Sequence, residues 1–214
     1  MISKKELRKQ HLAALEGLGF LDLVLRSSDL RTRYFEFVTH HQIQLQNRIA
    51  VSFYPFHGEP QINIEREERD EPYQVAYVRI ESWQSREMSA RFARRDTPDL
   101  WEEFELKNGA RIYQPKDSQT RCEPGDLGLI LVPGTAFTRE GDRLGRGAGF
   151  YDRFLKQHPH ALRMGIAFQE QMAAQLPVDS WDERVDMVLT DQGLFSTKSY
   201  GEWRIHGKVL SRDP

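Results

Sequence analysis

The chain has 214 residues, of which 39% are hydrophobic and 29% are charged, with 30 Lys and Arg against 32 Asp and Glu. This length and composition predict a globular protein of one domain, or one domain with an appendage, built on a substantial core. The near-balanced charge argues against a general nucleic-acid binder. No apolar run is long enough to span a membrane, the first residues lack a signal core, and Cys122 is the only cysteine. We therefore expect a cytoplasmic protein.

The N-terminal part of the chain predicts two helices. Ser3 followed by Glu6 matches a capping box, in which the serine and the glutamate satisfy free N–H groups reciprocally. Apolar residues at helical spacing extend this first helix to about Gly17 or Gly19. A second helix is predicted from Leu30 to Gln46, with its apolar residues on one side.

The rest of the chain alternates between strands and helices. Five short, mostly apolar segments are typical of buried parallel strands: Ile49–Tyr54, Val75–Ile80, Gly128–Val132, Leu162–Ala167 and Arg184–Leu189. Three predicted helices separate them: Pro98–Glu105, Gly149–Gln157 and Gln169–Gln175. The alternation predicts an α/β fold in which helices cover both faces of a mixed, mostly parallel sheet. Ligands of such sheets lie beyond the carboxyl ends of the strands.

A glycine-rich loop follows the predicted strand at Gly128–Val132, and it reads RLGRGAGFYD from Arg143 to Asp152. Its alternating glycines let successive N–H groups converge on an anion, and the helix that follows adds its positive end. The loop matches neither the P-loop nor the dinucleotide fingerprint, because its glycine spacing differs from both. It therefore indicates a phosphate or nucleotide site, or alternatively a turn that only lets a strand and a helix pack closely.

The run from Leu129 to Leu155 resembles the signature of the 5-formyltetrahydrofolate cyclo-ligases, also called methenyltetrahydrofolate synthetases. This signature is a strand ending in Val-Pro-Gly, then Arg-Leu-Gly-x-Gly-x-Gly-Phe-Tyr-Asp and a helix. Flanking segments at Gly165–Gln171 and Val185–Asp191 also match. The resemblance implies a three-layer α/β/α sandwich with a mostly parallel, Rossmann-like sheet over residues 1–193, followed by a C-terminal extension at 194–214 with no assigned role.

The same resemblance implies the reaction and its partners. ATP would phosphorylate the formyl oxygen of 5-formyltetrahydrofolate, and N10 of the folate would then close the ring to 5,10-methenyltetrahydrofolate, releasing ADP and phosphate. A formyl oxygen is a poor leaving group until it is phosphorylated, and Mg²⁺ would neutralise the charge of the transferred group. We expect a monomer or weak homodimer that binds these small molecules and neither nucleic acid nor membrane.

The resemblance also assigns the nucleotide site. Lys4 and Arg8 are four residues apart, share a helical face and would contact phosphate together, although alone they would indicate only a solvated basic turn. Arg146 and Asp152 are the candidate catalytic residues. The family's ATP-binding loop corresponds to Arg143, Leu144, Gly145, Arg146, Gly147, Ala148, Gly149, Phe150 and Tyr151.

Two acids match the family's magnesium ligands, Asp152 and Asp186. Carboxylates together with phosphate oxygens and waters suit the octahedral, oxygen-rich preference of Mg²⁺. Alternatively, Asp152 is an acid of a first helical turn, favoured by the helix dipole, and Asp186 is a strand-edge acid that pairs with an arginine. Asp182 and Asp191 compete for the role of second ligand.

The folate-binding residues implied by the resemblance lie in two places. Arg146, Gly147, Ala148, Gly149 and Phe150 of the loop would also face the folate. Glu59 would accept hydrogen bonds from the pterin N–H groups, and Tyr54 with Phe56 would line the apolar face of the ring or simply end a core strand. The segment from Glu59 to Val78 is short for the family, and we expect its charged run at 65–71 to be an exposed turn or a fraying helix.

Two further functions are compatible with the residues. One is a non-catalytic relative that binds folate or nucleotide, favoured by the short Glu59–Val78 segment and opposed by Arg143, Arg146, Asp152 and Asp186. The other is another phosphate-handling enzyme on a similar scaffold, such as a sugar-phosphate isomerase, which fold analogy alone supports. The seven histidines give no metal-ligand spacing.

Overall fold

The structure is a computed structural model, and it describes residues 2–40, 48–56, 58–65, 73–105, 109 and 111–197, together with two short strands near the C-terminus. The helices are α1 (Lys4–Glu16), α2 (Phe20–His40) and α3 (Phe150–Gln157). The strands are β1 (Ile49–Ser52), β2 (Gln74–Ser82), β3 (Glu87–Phe92), β4 (Trp101–Glu105), β5 (Arg111–Pro115), β6 (Leu127–Pro133), β7 (Ala136–Phe137), β8 (Arg143–Leu144), β9 (Leu162–Ala167), β10 (Met187–Thr190), β11 (Gly193–Ser196), β12 (Arg204–Ile205) and β13 (Lys208–Val209).

Seven strands form the central sheet in the order β11-β10-β9-β6-β1-β2-β3. The five inner strands are parallel, and the edge strands β3 and β11 are antiparallel to their neighbours. The fold class predicted from the sequence is therefore confirmed. Strand β11 spans Gly193–Ser196, so the sheet includes the first residues of the predicted C-terminal extension at 194–214.

The side chains of β6 show how the sheet divides two hydrophobic cores. Leu129 and Leu131 pack in the core that α1 and α2 cover, together with Leu30 and Tyr34 of α2. Ile130 and Val132 point to the other face, where the core includes residues of α3. This period-two alternation of fully apolar strand residues produces the three layers.

The order of the parallel strands places a binding crevice at one position. From β1 the chain proceeds outward through β2, and from β6 it proceeds outward in the other direction through β9 and β10. The segments leaving the carboxyl ends of β1 and β6 therefore diverge at a topological switch point, which is where open α/β sheets bind ligands. These segments contain Glu59 and the glycine-rich loop.

Several predicted elements differ from the structure. The predicted helix at Pro98–Glu105 is wrong, because only Pro98–Leu100 forms a 3₁₀ turn and the rest is β4, paired with β5. Trp101 is buried there, and its indole N–H donates to the Arg94 carbonyl at 2.7 Å. The predicted helix at Gln169–Gln175 is a single 3₁₀ turn at Gln169–Gln171. The buried Gln171 amide holds this turn by bonding Phe168 N and Gly134 O, both at 2.7 Å.

The bounds of the first two helices and the burial of one charged residue can also be compared with the predictions. Helix α1 ends at Glu16 with Gly17 as its cap, as expected. Helix α2 begins ten residues before its predicted start, at Phe20, whereas its predicted end lies outside the described residues. Within the charged run at 65–71 only Glu65 is described, and it is buried, accepting hydrogen bonds from Tyr77 Oη and Arg95 N. The expectation of an exposed segment is therefore wrong at Glu65.

Candidate active site

A cavity of about 1240 Å³ opens at the switch point of the sheet. It is larger than the few hundred to 1,000 Å³ of a pocket for one small molecule, so it has room for two reactants. Its lining includes almost every site residue that the sequence indicated: Lys4, Arg8, Tyr54, Phe56, Glu59, Arg143, Leu144, Gly145, Arg146, Gly147, Ala148, Gly149, Phe150, Tyr151, Asp152 and Asp182. The segments after β1 and β6 thus meet around one space.

Two positions of the glycine-rich loop have a backbone that requires glycine. Gly147 (φ +100°) and Gly149 (φ +73°) are both left-handed, a conformation that favours glycine. Gly149 is the N-cap of α3, whose first turn contains Asp152. The loop therefore delivers its glycines and the positive end of a helix to the cavity, an arrangement that favours an anion.

Arg8 joins α1 to this loop. Its Nε donates to the Gly145 carbonyl at 2.7 Å. Its guanidinium carbon lies 3.3 Å from the position that the Cβ of any other residue at 147 would occupy. A substitution of Gly147 would therefore meet both the left-handed backbone and the Arg8 side chain. The N-terminal helix is held against the loop by this basic residue.

Lys4 also lines the cavity, between two carboxylates. Its Nζ bonds Asp179 at 2.7 Å and also bonds Asp182. Partial burial acts to lower the pKa of Lys4, but the hydrogen bonds to the two carboxylates outweigh this and raise it. The neighbouring Trp181 is 68% exposed and also lines the cavity. The Asp179–Asp182 segment as a whole was not assigned to the site from sequence, since only Asp182 was considered there.

A buried ion pair organises the floor of the cavity. Arg143, whose side chain is 3% exposed, donates from Nη2 to Asp152 Oδ1 at 2.7 Å. The same Oδ1 accepts the Glu183 backbone N–H at 3.3 Å, and among the described residues Oδ2 has no hydrogen bond. The guanidinium also lies 5.7 Å from the centre of the Tyr151 ring. Asp152 is thus oriented by two donors through one of its oxygens.

A second ion pair lines the same cavity. Glu59 is 4% exposed, and its Oε1 accepts from Arg146 Nε at 2.8 Å while Oε2 accepts the Phe56 backbone N–H at 2.9 Å. The Arg146 guanidinium stacks over the Phe56 ring at 4.4 Å. Tyr54 is 39% exposed and packs on Tyr113, whose ring centre is 5.1 Å away. The surroundings of Glu59 therefore combine a carboxylate with aromatic faces, as recognition of a flat heterocycle requires.

The structure does not bring Asp186 to the cavity. Asp186 directly precedes β10, at the amino edge of the parallel sheet, where its Oδ2 accepts the Arg163 backbone N–H at 2.7 Å. Burial raises the pKa of Asp186 to about 7. Asp191 also lies away from the lining, bonded to Arg26 and to Gln169 N. Of the acids considered as metal ligands, Asp152 and Asp182 line the cavity.

Among the parts of the lining that were not assigned to the site from sequence, two lie in antiparallel hairpins. One is the turn between β2 and β3, which contributes Trp83 and Arg86, and the other is Ile112 and Gln114 of the β4–β5 hairpin. Both reach the cavity through antiparallel pairing that brings distant residues together. In the described part of the chain, no three His, Cys, Asp or Glu side chains cluster as a metal site, and no helix is long and apolar enough to cross a bilayer.

Known proteins are similar to this chain over most of its length. The model of the 5-formyltetrahydrofolate cyclo-ligase family matches residues 2–191. The 5-formyltetrahydrofolate cyclo-ligase of Mus musculus is 34% identical over 193 residues, which cover 85% of this chain and 88% of the mouse protein. The Haemophilus influenzae enzyme of the same name is 37% identical over 79 residues, 36% of this chain and 42% of that protein.

Solved structures agree with this relationship. The Aquifex aeolicus 5,10-methenyltetrahydrofolate synthetase is 26% identical, with a TM-score of 0.75 over 96% of this chain and 98% of that one. The Mycoplasma pneumoniae 5,10-methenyltetrahydrofolate synthetase, 20% identical, shares the fold with a TM-score of 0.67 over 89% of this chain and 99% of that one. With a family match over most of its length, around a cavity lined by the residues of the family signature, the chain belongs to the 5-formyltetrahydrofolate cyclo-ligase family of ligases.

Proposed function

We propose that the protein converts 5-formyltetrahydrofolate to 5,10-methenyltetrahydrofolate at the expense of ATP, releasing ADP and phosphate. The observation that carries this proposal is that one loop supplies two ion pairs to a single cavity. Arg143 and Arg146 are three residues apart, yet Arg143 pairs with Asp152 and Arg146 pairs with Glu59. Reactants bound at the two pairs would meet at the loop, as direct group transfer requires.

The chemistry needs alignment rather than a protein nucleophile. The formyl oxygen attacks the γ-phosphorus of ATP, and the bond to the ADP oxygen breaks. N10 then attacks the activated carbon and loses its proton, and the carbon–oxygen bond breaks to release inorganic phosphate. We assign Lys4, Arg8, Arg143 and the N–H groups of the glycine-rich loop to holding the phosphates, where their charge offsets that of the transferred group.

The residues present fit a magnesium ion through one carboxylate. Mg²⁺ is commonly held by one or two carboxylates together with substrate phosphates and waters. Asp152 meets this requirement, because Arg143 and Glu183 orient it through Oδ1 alone. Asp182 lines the same cavity but pairs with Lys4, and Asp186 lies at the other edge of the sheet. When bound, the ion would supply charge neutralisation at the transferred phosphoryl group.

Glu59 and Arg146 are assigned to the folate. Replacing Glu59 by Gln keeps the shape of the side chain but removes the negative charge that the pterin N–H groups would meet. We expect KM for 5-formyltetrahydrofolate to rise roughly tenfold, the effect of losing one charged hydrogen bond, with a smaller change in KM for ATP. Steady-state kinetics in which each substrate is varied would measure both constants.

The exposed Glu123 offers a matched control, because Glu123→Gln makes the same change outside the cavity. Its two KM values should match those of the parent protein. Equal rises in both KM values for Glu59→Gln would mean that its pair with Arg146 supports the binding of both substrates rather than of the folate alone.

A further inference from the structure

The start of α2 exposes a compact group of large apolar side chains. Phe20, Leu21, Val24 and Leu25 are between 45% and 81% exposed. Their spacing by three and four residues places neighbouring members on one side of the helix. A single exposed apolar residue is ordinary, but a group of large ones on one helical surface is typical of a site that binds another molecule. We call these residues the α2 patch.

The opposite side of α2 makes the contacts that hold the helix on the sheet. Leu23, Leu30 and Tyr34 are buried in the core between α2 and the sheet. No residue of α2 contributes to the lining of the active-site cavity, within the part of the chain that the structure describes. The α2 patch therefore belongs neither to the core nor to the active site.

A row of acids runs beside the α2 patch. Asp22, Asp29 and Glu36 follow one another at intervals of seven residues, so they lie along one side of α2, and all three are exposed. Among the described residues, none of the three forms an ion pair. The α2 patch is therefore bordered along one flank by carboxylates that have no cationic partner in the protein.

The cations of α2 are engaged elsewhere. Arg26 Nε donates to Asp191 Oδ2 at 2.7 Å, and Arg33 Nε donates to the Asp191 backbone carbonyl at 3.0 Å. Arg31 Nε donates to the Asn63 carbonyl at 2.9 Å. Each guanidinium thus bonds a group that lies outside the helix, which leaves the acidic row to a cation of a binding partner.

Charge complementarity selects the kind of partner. When two helices pack through an apolar seam, the charges that flank the seam decide which helices pair. A second copy of α2, packed antiparallel on the first about a two-fold axis, would bring the same acidic row against this one, and the like charges would repel. An anionic lipid surface would be repelled in the same way. A helix with apolar residues on one side and Lys or Arg beside them matches both features.

We propose that the α2 patch and its acidic row bind a basic amphipathic helix of another protein. Apolar side chains of that helix pack on Leu21 and Leu25, and its cations reach Asp22 and Asp29. This surface is separate from the cavity in which the reaction is proposed to occur, so the inference does not depend on the proposed function.

The test uses labelled synthetic helices and the full-length protein, with binding followed by fluorescence anisotropy. One peptide of about 18 residues, roughly five helical turns, carries leucines at helical spacing on one side and lysines elsewhere. A second has glutamate in place of every lysine, and a third is a scramble of the first. The protein binds the first peptide, and it binds the other two far more weakly or not at all.

The apolar contact is tested by the double variant Leu21→Gln with Leu25→Gln. Removing both leucines from the seam raises the Kd of the leucine–lysine peptide by roughly tenfold or more. Val178→Gln changes an exposed apolar residue outside α2 and keeps the parental Kd. Because all three side chains are exposed, the thermal unfolding curves of these variants should match that of the parent protein.

The charged contact is tested by Asp22→Asn with Asp29→Asn. The Kd rises by roughly two- to fivefold for each acid removed, and it becomes less sensitive to salt. The double variant Glu123→Gln with Asp126→Asn removes two exposed acids outside α2 and keeps both the parental Kd and its salt dependence.

The same measurements separate this partner from the other possible occupants. An unchanged Kd in both α2 variants, or no binding of the leucine–lysine peptide up to about 0.1 mM, would overturn the proposal. A dimer in sedimentation that Leu21→Gln with Leu25→Gln abolishes would identify a second copy as the occupant and would also overturn it. Flotation with phosphatidylcholine–phosphatidylserine vesicles that depends on the same leucines would overturn it in favour of a lipid surface.

Discussion

Asp152→Asn is expected to lower kcat of the MgATP-dependent reaction by roughly 100- to 1000-fold, the usual effect of removing one charged group that stabilises a transition state. Two donors orient this carboxylate in the cavity, Arg143 at 2.7 Å and the Glu183 N–H. Asparagine can still accept both hydrogen bonds through its oxygen, so the fold should survive. It cannot supply the negative charge that a divalent cation requires.

The measurement is kcat at saturating folate over a series of Mg²⁺ concentrations. The parent protein and the variant are compared with Asp126→Asn, which changes an exposed acid outside the cavity and should retain parental kinetics. Matching thermal unfolding curves would show that the fold is intact. Near-normal turnover in Asp152→Asn would remove this residue from the mechanism.

Asp186→Asn is expected to stabilise the protein at alkaline pH. Burial raises the pKa of Asp186 to about 7, whereas the unfolded chain has the ordinary value of about 3.9. The folded state therefore holds the proton more tightly. The stability that protonated Asp186 contributes is therefore complete below about pH 4, and it is lost as the pH rises to about 7. Asparagine cannot ionise, and its oxygen can still accept the Arg163 N–H.

The free energy of unfolding of Asp186→Asn should exceed that of the parent protein by on the order of 4 kcal/mol at pH 8. The difference should shrink towards pH 4. Urea unfolding of both proteins across this range measures it, with Asp126→Asn as a charge-matched control. If Asp186→Asn instead lost turnover at pH 8 without any gain in stability, Asp186 would act as the second metal ligand, contrary to its position in the structure.

The sequence predicted the central sheet well because its inner strands are buried on both faces. Runs such as Leu129–Val132 are continuous and apolar, a pattern that few other elements produce at that length. The α3 helix was predicted within one residue of its start, and the left-handed positions at Gly147 and Gly149 explain why glycines precede it. These features depend on local chemistry.

The elements that the sequence missed depend on tertiary contacts. Trp101–Glu105 has no clear period, and it becomes a strand because it pairs with Arg111–Pro115. The first turns of α2 carry exposed apolar side chains at Phe20 and Leu21, so they give no clear amphipathic pattern. Ser27 looks like a surface residue, yet it is buried and its hydroxyl accepts the Gln61 N–H.

The position of Asp186 relative to the site likewise depends on tertiary structure. An acid that directly precedes a parallel strand lies at the amino edge of the sheet, whereas ligands lie at the carboxyl edge. Asp152 reaches that carboxyl edge because it follows the loop after β6. The resemblance to the family assigned both residues to the metal. Only the direction of the strands shows that they lie at opposite edges of the sheet.

The most direct test of the proposed function mixes the purified protein with 5-formyltetrahydrofolate and follows the near-ultraviolet absorbance of the methenyl product, with and without ATP and Mg²⁺. We predict that absorbance grows only when both are present, with one ADP and one phosphate formed for each product molecule. An increase in absorbance without ATP would contradict the cyclo-ligase reaction, and so would binding of both substrates with no product. The second result would identify a non-catalytic member of the family.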